Sequence, residues 1–189
     1  MIFFQYLDNL PAVPDDLVAN VLNTLDSVPI DHAVPQRAVL IDNEQVENIT
    51  YNRHRAIDEL TEWIHQNISS QYISFGVQVQ TPKPHINTHF PHTDTLPRIW
   101  ALNYNLDPGG DNVITSWYQE RGHSILRPGP CRPQDISQLD VLESVQIQPR
   151  RWHLLNTQVL HGVENIHGPR IAITLGFDHS PLEGHTFVQ

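Results

Sequence analysis

Cysteine, lysine and long apolar runs are what this chain of 189 residues lacks. Cys131 is its single cysteine, so no intramolecular disulfide can form, and a reducing, cytoplasmic setting is expected. The apolar start Met1-Ile2-Phe3-Phe4 is cut short by Gln5 and Asp8 and carries neither a basic flank nor a cleavage-like site. Nothing elsewhere approaches the roughly 20 apolar residues of a membrane helix, so a soluble protein with no membrane partner is expected. Positive charge is also short. Lys83 is the only lysine, and 11 basic residues face 21 acidic ones for a net charge of −10. Such a chain repels phosphate backbones. Nucleic acid would need a local basic patch, for which only Arg121 to Arg132 and Arg150-Arg151 offer material, so a small-molecule or peptidyl partner is expected instead.

Proline is plentiful, at 15 against 9 glycines, while the charged fraction is only 17%. Rigid loops and strand ends are implied, and a β-rich domain is favoured over a helical bundle. The length suits one domain over residues 1–189, divided into a helical N-terminal part (1–70), a β core (71–178) and a C-terminal tail (179–189).

Pro14-Asp15-Asp16 starts a helix through Leu25 whose apolar residues 17, 18, 21, 22 and 25 share one face. A second helix is predicted from Arg55 to Asn67, with Ile57, Leu60, Trp63 and Ile64 inward. Ala38 to Ile41 reads as a short buried strand between them. From Tyr72 to Gln80 the pattern becomes that of a strand. Further strands are predicted over Ile99–Leu106, Val113–Gln119, Val145–Ile147, Trp152–Leu155, Gln158–His161 and Arg170–Phe177. Turn signals such as Asp107-Pro108-Gly109-Gly110 separate them. The spacing predicts a mainly β sandwich or barrel with the two N-terminal helices packed on its outside.

Twelve histidines make any single one a weak signal, so spacing must select among them. His92-x-Asp94 puts an imidazole and a carboxylate on the same side of an extended segment. His161 follows at the end of a short strand, and the three together match the two-histidine, one-carboxylate facial set of non-haem Fe(II) oxygenases. Arg170 opens the last strand, with Ala172 and Thr174 as cavity-sized partners on its face. An arginine so placed has a ready role in gripping a carboxylate.

His92-x-Asp94, His161 and Arg170 resemble the motif set of the Fe(II)- and 2-oxoglutarate-dependent oxygenases. Trp152 to Phe177 also resembles the C-terminal run of the aspartyl/asparaginyl β-hydroxylase-like branch. The resemblance covers roughly residues 75 to 178 and implies a double-stranded β-helix, the jelly roll that cupins also use. It implies that His92, Asp94 and His161 ligate Fe(II) and that Arg170 binds the distal carboxylate of 2-oxoglutarate as cosubstrate. Oxidative decarboxylation to succinate and CO2 would then drive hydroxylation of a C–H bond in a small molecule, an amino acid or a protein side chain. Unlike the β-hydroxylase branch, this chain keeps the carboxylate ligand, Asp94. Where prolyl hydroxylase-like relatives carry tyrosine three residues before the first ligand, it has His89.

Asn103 and Thr174 are further candidates for contacts to 2-oxoglutarate. Arg98 is a candidate for a substrate carboxylate or a structural acid, and Trp117 for a substrate platform, although each tryptophan also fits the core. The loop from Arg121 to Arg132 is a candidate lid. His85, His89, His123, His153, His167, His179 and His185 supply rival ligand sets. A cupin-like metal protein that does not use 2-oxoglutarate would draw on those, and a non-enzymatic structural or binding β-sandwich would need none.

Overall fold

A computed structural model describes residues 3–33, 39–41, 44–46, 48–133, 135–182 and 186–188. In chain order the elements are β1 (Phe4–Tyr6), α1 (Asp15–Thr24), β2 (Ile30–Ala33), β3 (Val39–Ile41), β4 (Glu44–Val46), β5 (Thr50–His54), α2 (Asp58–Asn67), β6 (Ser74–Thr81), β7 (His89–His92), β8 (Trp100–Asp107), β9 (Ile114–Glu120), β10 (Leu139–Val145), β11 (Trp152–Asn156), β12 (Leu160–Glu164) and β13 (Arg170–Phe177). A seven-stranded antiparallel sheet runs β1-β11-β8-β13-β6-β5-β2, and a four-stranded one runs β10-β9-β12-β7. β3 and β4 form a separate pair.

Alternation along each strand gives the large sheet two different faces. Leu102, Tyr104 and Leu106 of β8 and Ile173, Leu175 and Phe177 of β13 point outward into one apolar core with Val18 and Val21 of α1 and Leu60 and Ile64 of α2. The helices therefore cover the outside of the sheet, as the apolar spacing of α1 and α2 predicts. Acidic pairs, Asp15-Asp16 and Asp58-Glu59, occupy their first turns, where the helix dipole favours negative charge. The inward residues of the same strands are polar. Between the sheets, one apolar cluster gathers Ala101, Trp117, Leu155 and Val159, and another gathers Ile49, Val113, Val163 and Ile166. A cavity of about 660 Å³ opens between these plugs, touched by Ala101 and Leu155 of the first and Val163 of the second.

Several expected elements shift. α2 begins at Asp58, not Arg55, because the Arg55 N–H is already bound to Pro29 O at 3.0 Å and Ile57 is extended. The strand expected at Val145–Ile147 instead ends at Val145, after pairing with β9 through a bulge near Val141. The one expected at Gln158–His161 begins at Leu160, since Asn156 to Gln158 make an Asx-type turn in which Asn156 Oδ1 accepts from Gln158 N. The first 70 residues are not only helical: β1, β2 and β5 join the large sheet. Ala38 lies outside the described residues, while Val39–Ile41 is a strand. No helix among the described residues is long and apolar enough to cross a membrane.

Candidate functional site

β7 and β12 are antiparallel neighbours with His92 opposite His161. That register brings together two rings far apart in sequence, their centroids 4.6 Å apart. The chain leaves β7 at His92 and is tied down at once: Thr93 N donates to Cys131 O and Asp94 N to Thr157 O. Asp94 Oδ1 thereby lies 3.7 Å from His92 Nε2. One donor atom from each of His92, Asp94 and His161 lies within 4.8 Å of the others, the only such group of potential metal ligands among the described residues.

Hydrogen bonds behind the rings set which nitrogen faces inward. His92 Nδ1 contacts Phe90 O and His161 Nδ1 contacts Val159 O, each at 2.9 Å. A carbonyl can only accept, so each Nδ1 carries a proton and Nε2 is the nitrogen left to offer a lone pair. Burial pushes the His92 pKa down to about 4, helped by His161 and opposed by Asp94. Neutral imidazole is the form that binds metal. For Asp94, burial works upward, but Arg98, then His161 and His92, hold the carboxyl below its ordinary range. Arg98 Nε stands 3.4 Å from Asp94 Oδ2.

Arg170 enters the cavity from the start of β13 and is only 5% exposed. It donates to Gln80 Oε1 at 2.9 Å and, more weakly, to Asn105 Oδ1 at 3.4 Å. No carboxylate of the described residues lies within 4 Å of it. Burial lowers its pKa to about 10, with Tyr51 opposing, which leaves it a cation at neutral pH. A buried cation without a counter-ion is costly unless something anionic joins it.

Gln80 links this arginine to a third histidine. Its oxygen faces the arginine, so its NH2 must face His89 Nδ1, 2.7 Å away. An amide nitrogen only donates, which makes His89 Nδ1 the acceptor and places its proton on Nε2. His89 lines the cavity beside His92, ring centroids 4.3 Å apart. Burial and then the neighbouring His92, His161 and Arg170 keep it neutral, its pKa well below the usual value.

The other predicted residues divide. Asn103 lines the cavity, and its Oδ1 is buried without a partner. Thr174 is buried behind Arg98 and accepts from its Nη2 at 2.8 Å. Arg98 faces the cavity, but Asp94 and Thr174 already engage it; it precedes β8, so it does not follow the outward parity of Trp100 and Leu102. Trp117 does not line the cavity. It is fully buried in the apolar plug, 5.6 Å from the Phe4 ring, so its placement is that of a core residue. From the 121–132 loop, Pro130, Cys131 and Arg132 roof the cavity, pinned where Gly129 N donates to Gln158 Oε1 at 2.7 Å and Arg127 N to Gln158 O at 2.8 Å. Of the rival histidines, only His89 reaches this cavity among the described residues, and His185 lies outside them.

Tyr51 and Arg53 of β5 and Gln80 of β6 also line the cavity and went unnoticed in the sequence. The signal available was the alternation in Thr50-Tyr51-Asn52-Arg53-His54, which is that of a strand with a polar inward face.

No family model matches the sequence, and no curated protein does. Solved structures do. The non-haem α-ketoglutarate-dependent carbocyclase SnoK from nogalamycin biosynthesis superposes with a TM-score of 0.52 at 10% identity, over 92% of this chain and 78% of its own. The non-haem α-ketoglutarate-dependent epimerase SnoN of the same biosynthesis gives 0.50 at 10% identity, over 92% and 77%. At such identities the likeness is one of fold. Mostly antiparallel strands in two facing sheets, two helices outside and a polar cavity within make this chain a double-stranded β-helix, the fold of the 2-oxoglutarate-dependent non-haem oxygenases.

Proposed function

We propose that this chain is a single-domain non-haem Fe(II)- and 2-oxoglutarate-dependent oxygenase that hydroxylates a C–H bond of a small molecule, an amino acid or a protein side chain. The observation that carries the reading is the presence, in one cavity, of three convergent metal-type donors and a buried arginine without an acid. The donor set fits Fe(II): two imidazoles whose Nδ1 is held by a backbone carbonyl, leaving Nε2 to coordinate, and one carboxylate form the two-histidine, one-carboxylate group that leaves further positions open.

When bound, iron and 2-oxoglutarate supply the oxidation, in which O2 is consumed, succinate and CO2 leave, and the substrate C–H gains an oxygen. The chain's own residues orient and shield. Arg170 offers a planar, permanently charged fork to the distal carboxylate, and Gln80 fixes its angle. His89 Nε2–H and the Asn103 amide are further polar groups of the lining that could contact that diacid. Arg98 keeps Asp94 ionised and aimed, with Thr174 holding Arg98 in turn. The segment Pro130–Arg132 roofs the cavity against water. The two solved neighbours are named for epimerisation and ring closure, so the outcome after hydrogen abstraction is the part that the substrate's position decides.

Thermal shift with Mn(II) tests the reading. Mn(II) is expected to raise Tm, and 2-oxoglutarate to raise it further. Arg170→Ala should lose only the second rise and His161→Ala both, while slow succinate release with Fe(II) should vanish in either. A metal shift indifferent to 2-oxoglutarate would favour a cupin-like metal protein, and no metal shift a non-catalytic β-sandwich.

A further inference from the structure

Charge is distributed against the grain of this molecule. The chain carries 11 basic and 21 acidic residues, yet the described residues lining the cavity include Arg53, Arg98, Arg132 and Arg170 against Asp94 alone. A divalent metal and doubly charged 2-oxoglutarate cancel each other, so the filled site of the proposed reading would stay positive. The volume of about 660 Å³ also leaves room beyond a small diacid, within the range of sites that hold a drug-sized ligand.

Arg53 is a cation on the sheet that the proposed chemistry does not use. Its stem lies flat on β6, made possible by Gly76: a Cβ there would fall 2.9 Å from Arg53 Cγ and 2.5 Å from His54 O. Gly176 does the same for Arg98, where a Cβ would fall 3.1 Å from Arg98 Cδ. Gly76 is paired with Thr174, the residue that Arg98 reaches, so both guanidiniums converge over one patch of β6 and β13. Arg98 is engaged there by Asp94. Arg53 has no carboxylate of the described residues within 4 Å, and its Nε is buried without a hydrogen-bond partner. Tyr51, one pleat away on the same face of β5, also lines the cavity, and its hydroxyl proton is available to donate. Burial raises the Tyr51 pKa, which keeps that proton in place.

We infer that the cavity takes an acidic primary substrate, its carboxylate or phosphate bound by the Arg53 guanidinium with the Tyr51 hydroxyl. The inference rests on the oxygenase reading and names its substrate class. Arg53 is a binding residue for the substrate, and Arg170 remains the anchor of the cosubstrate.

The test uses the full chain loaded with Mn(II) and 2-oxoglutarate, titrated calorimetrically with matched probes: benzoate against benzamide, and phenyl phosphate against phenol. At least one anion should bind roughly tenfold or more tighter than its neutral partner, and which pair discriminates tells carboxylate from phosphate. Arg53→Gln should reduce that preference to roughly threefold or less, while Arg53→Lys, which keeps the charge and guards against a folding artefact, retains most of it. The 2-oxoglutarate-dependent rise in Tm should be unchanged in both variants. Equal binding of acid and neutral probes, or a preference that survives Arg53→Gln, overturns the inference while a normal 2-oxoglutarate shift leaves the oxygenase reading intact. Absence of that shift in the unaltered chain overturns both.

Discussion

The two faces of the seven-stranded sheet are equally dry and chemically opposite. On the outer face, Leu102, Ile173, Leu175 and Phe177 are fully buried against α1 and α2. On the inner face, Asn103, Asn105, Arg170 and Thr174, alternate residues of the same β8 and β13, are no more than 6% exposed. Burial therefore does not distinguish the two faces of this sheet; unmet bonding capacity does. The outer side chains are satisfied by contact, and their removal from water stabilises the chain. The inner ones leave Asn103 Oδ1 without a partner and Arg170 without an acid, and each such group costs stability. The interior around them adds four more atoms without a hydrogen-bond partner, Arg53 Nε, Arg98 Nε, Trp117 Nε1 and His153 Nε2.

The sharpest way to break this comparison is to cut the outer face. Leu102→Ala is expected to cost about 2–5 kcal/mol in urea unfolding, as cavity-forming changes in cores do. A loss well under 1 kcal/mol would place the stabilising contacts elsewhere.

Acid should expose the inner face next. His153 is fully buried between Phe4 and Tyr6, and burial, with Arg170 adding, drives its pKa down to about 3 despite the Arg151 carbonyl. The unfolded chain takes up this proton near pH 6.5 and the folded chain only near pH 3. Stability is therefore full above about pH 6.5 and falls as pH drops through that window, by roughly 1.4 kcal/mol per unit for this one group. His153→Phe should flatten the metal-free acid-unfolding profile by one proton's worth, and an unaltered slope would refute the assignment.

The smallest effect is expected at Arg170. Arg170→Leu should change the stability of the metal-free chain by no more than about 1 kcal/mol, or raise it, because the lost cation has no acid to strand. A loss as large as that of Leu102→Ala would erase the difference between the faces.

Legibility in the sequence followed the same division. Where one face of a strand is apolar the pattern is readable, so β13 was predicted at its observed bounds and β8 and β11 within a residue at each end. Strands without an apolar face, or on sheet edges, were not read. β5 alternates Tyr51 and Arg53 with other polar residues, β10 is largely exposed, and β7 contains Pro91, which an edge strand tolerates and a central one would not. For the site, spacing and the family resemblance singled out His92, Asp94 and His161, which the structure brings within 4.8 Å of one another. Tyr51, Arg53 and Gln80 were not selected, because their role comes from sheet order: β5 and β6 lie beside β13 only in the folded molecule. Trp117 erred in the opposite direction, since a tryptophan on an inward face fills a plug as readily as it lines a cavity.

Thr93, wedged between His92 and Asp94, has consequences for the mechanics of the cavity. Its hydroxyl donates to Gly129 O and accepts from Cys131 N, and its own N–H donates to Cys131 O. The roof is therefore bolted to the span between His92 and Asp94, so lifting it would disturb the spacing of those two donor groups. Traffic in and out should use a doorway that leaves the 127–131 segment still. Length changes should be harmless at the Arg121 to His123 tip and should loosen metal affinity within 127–131.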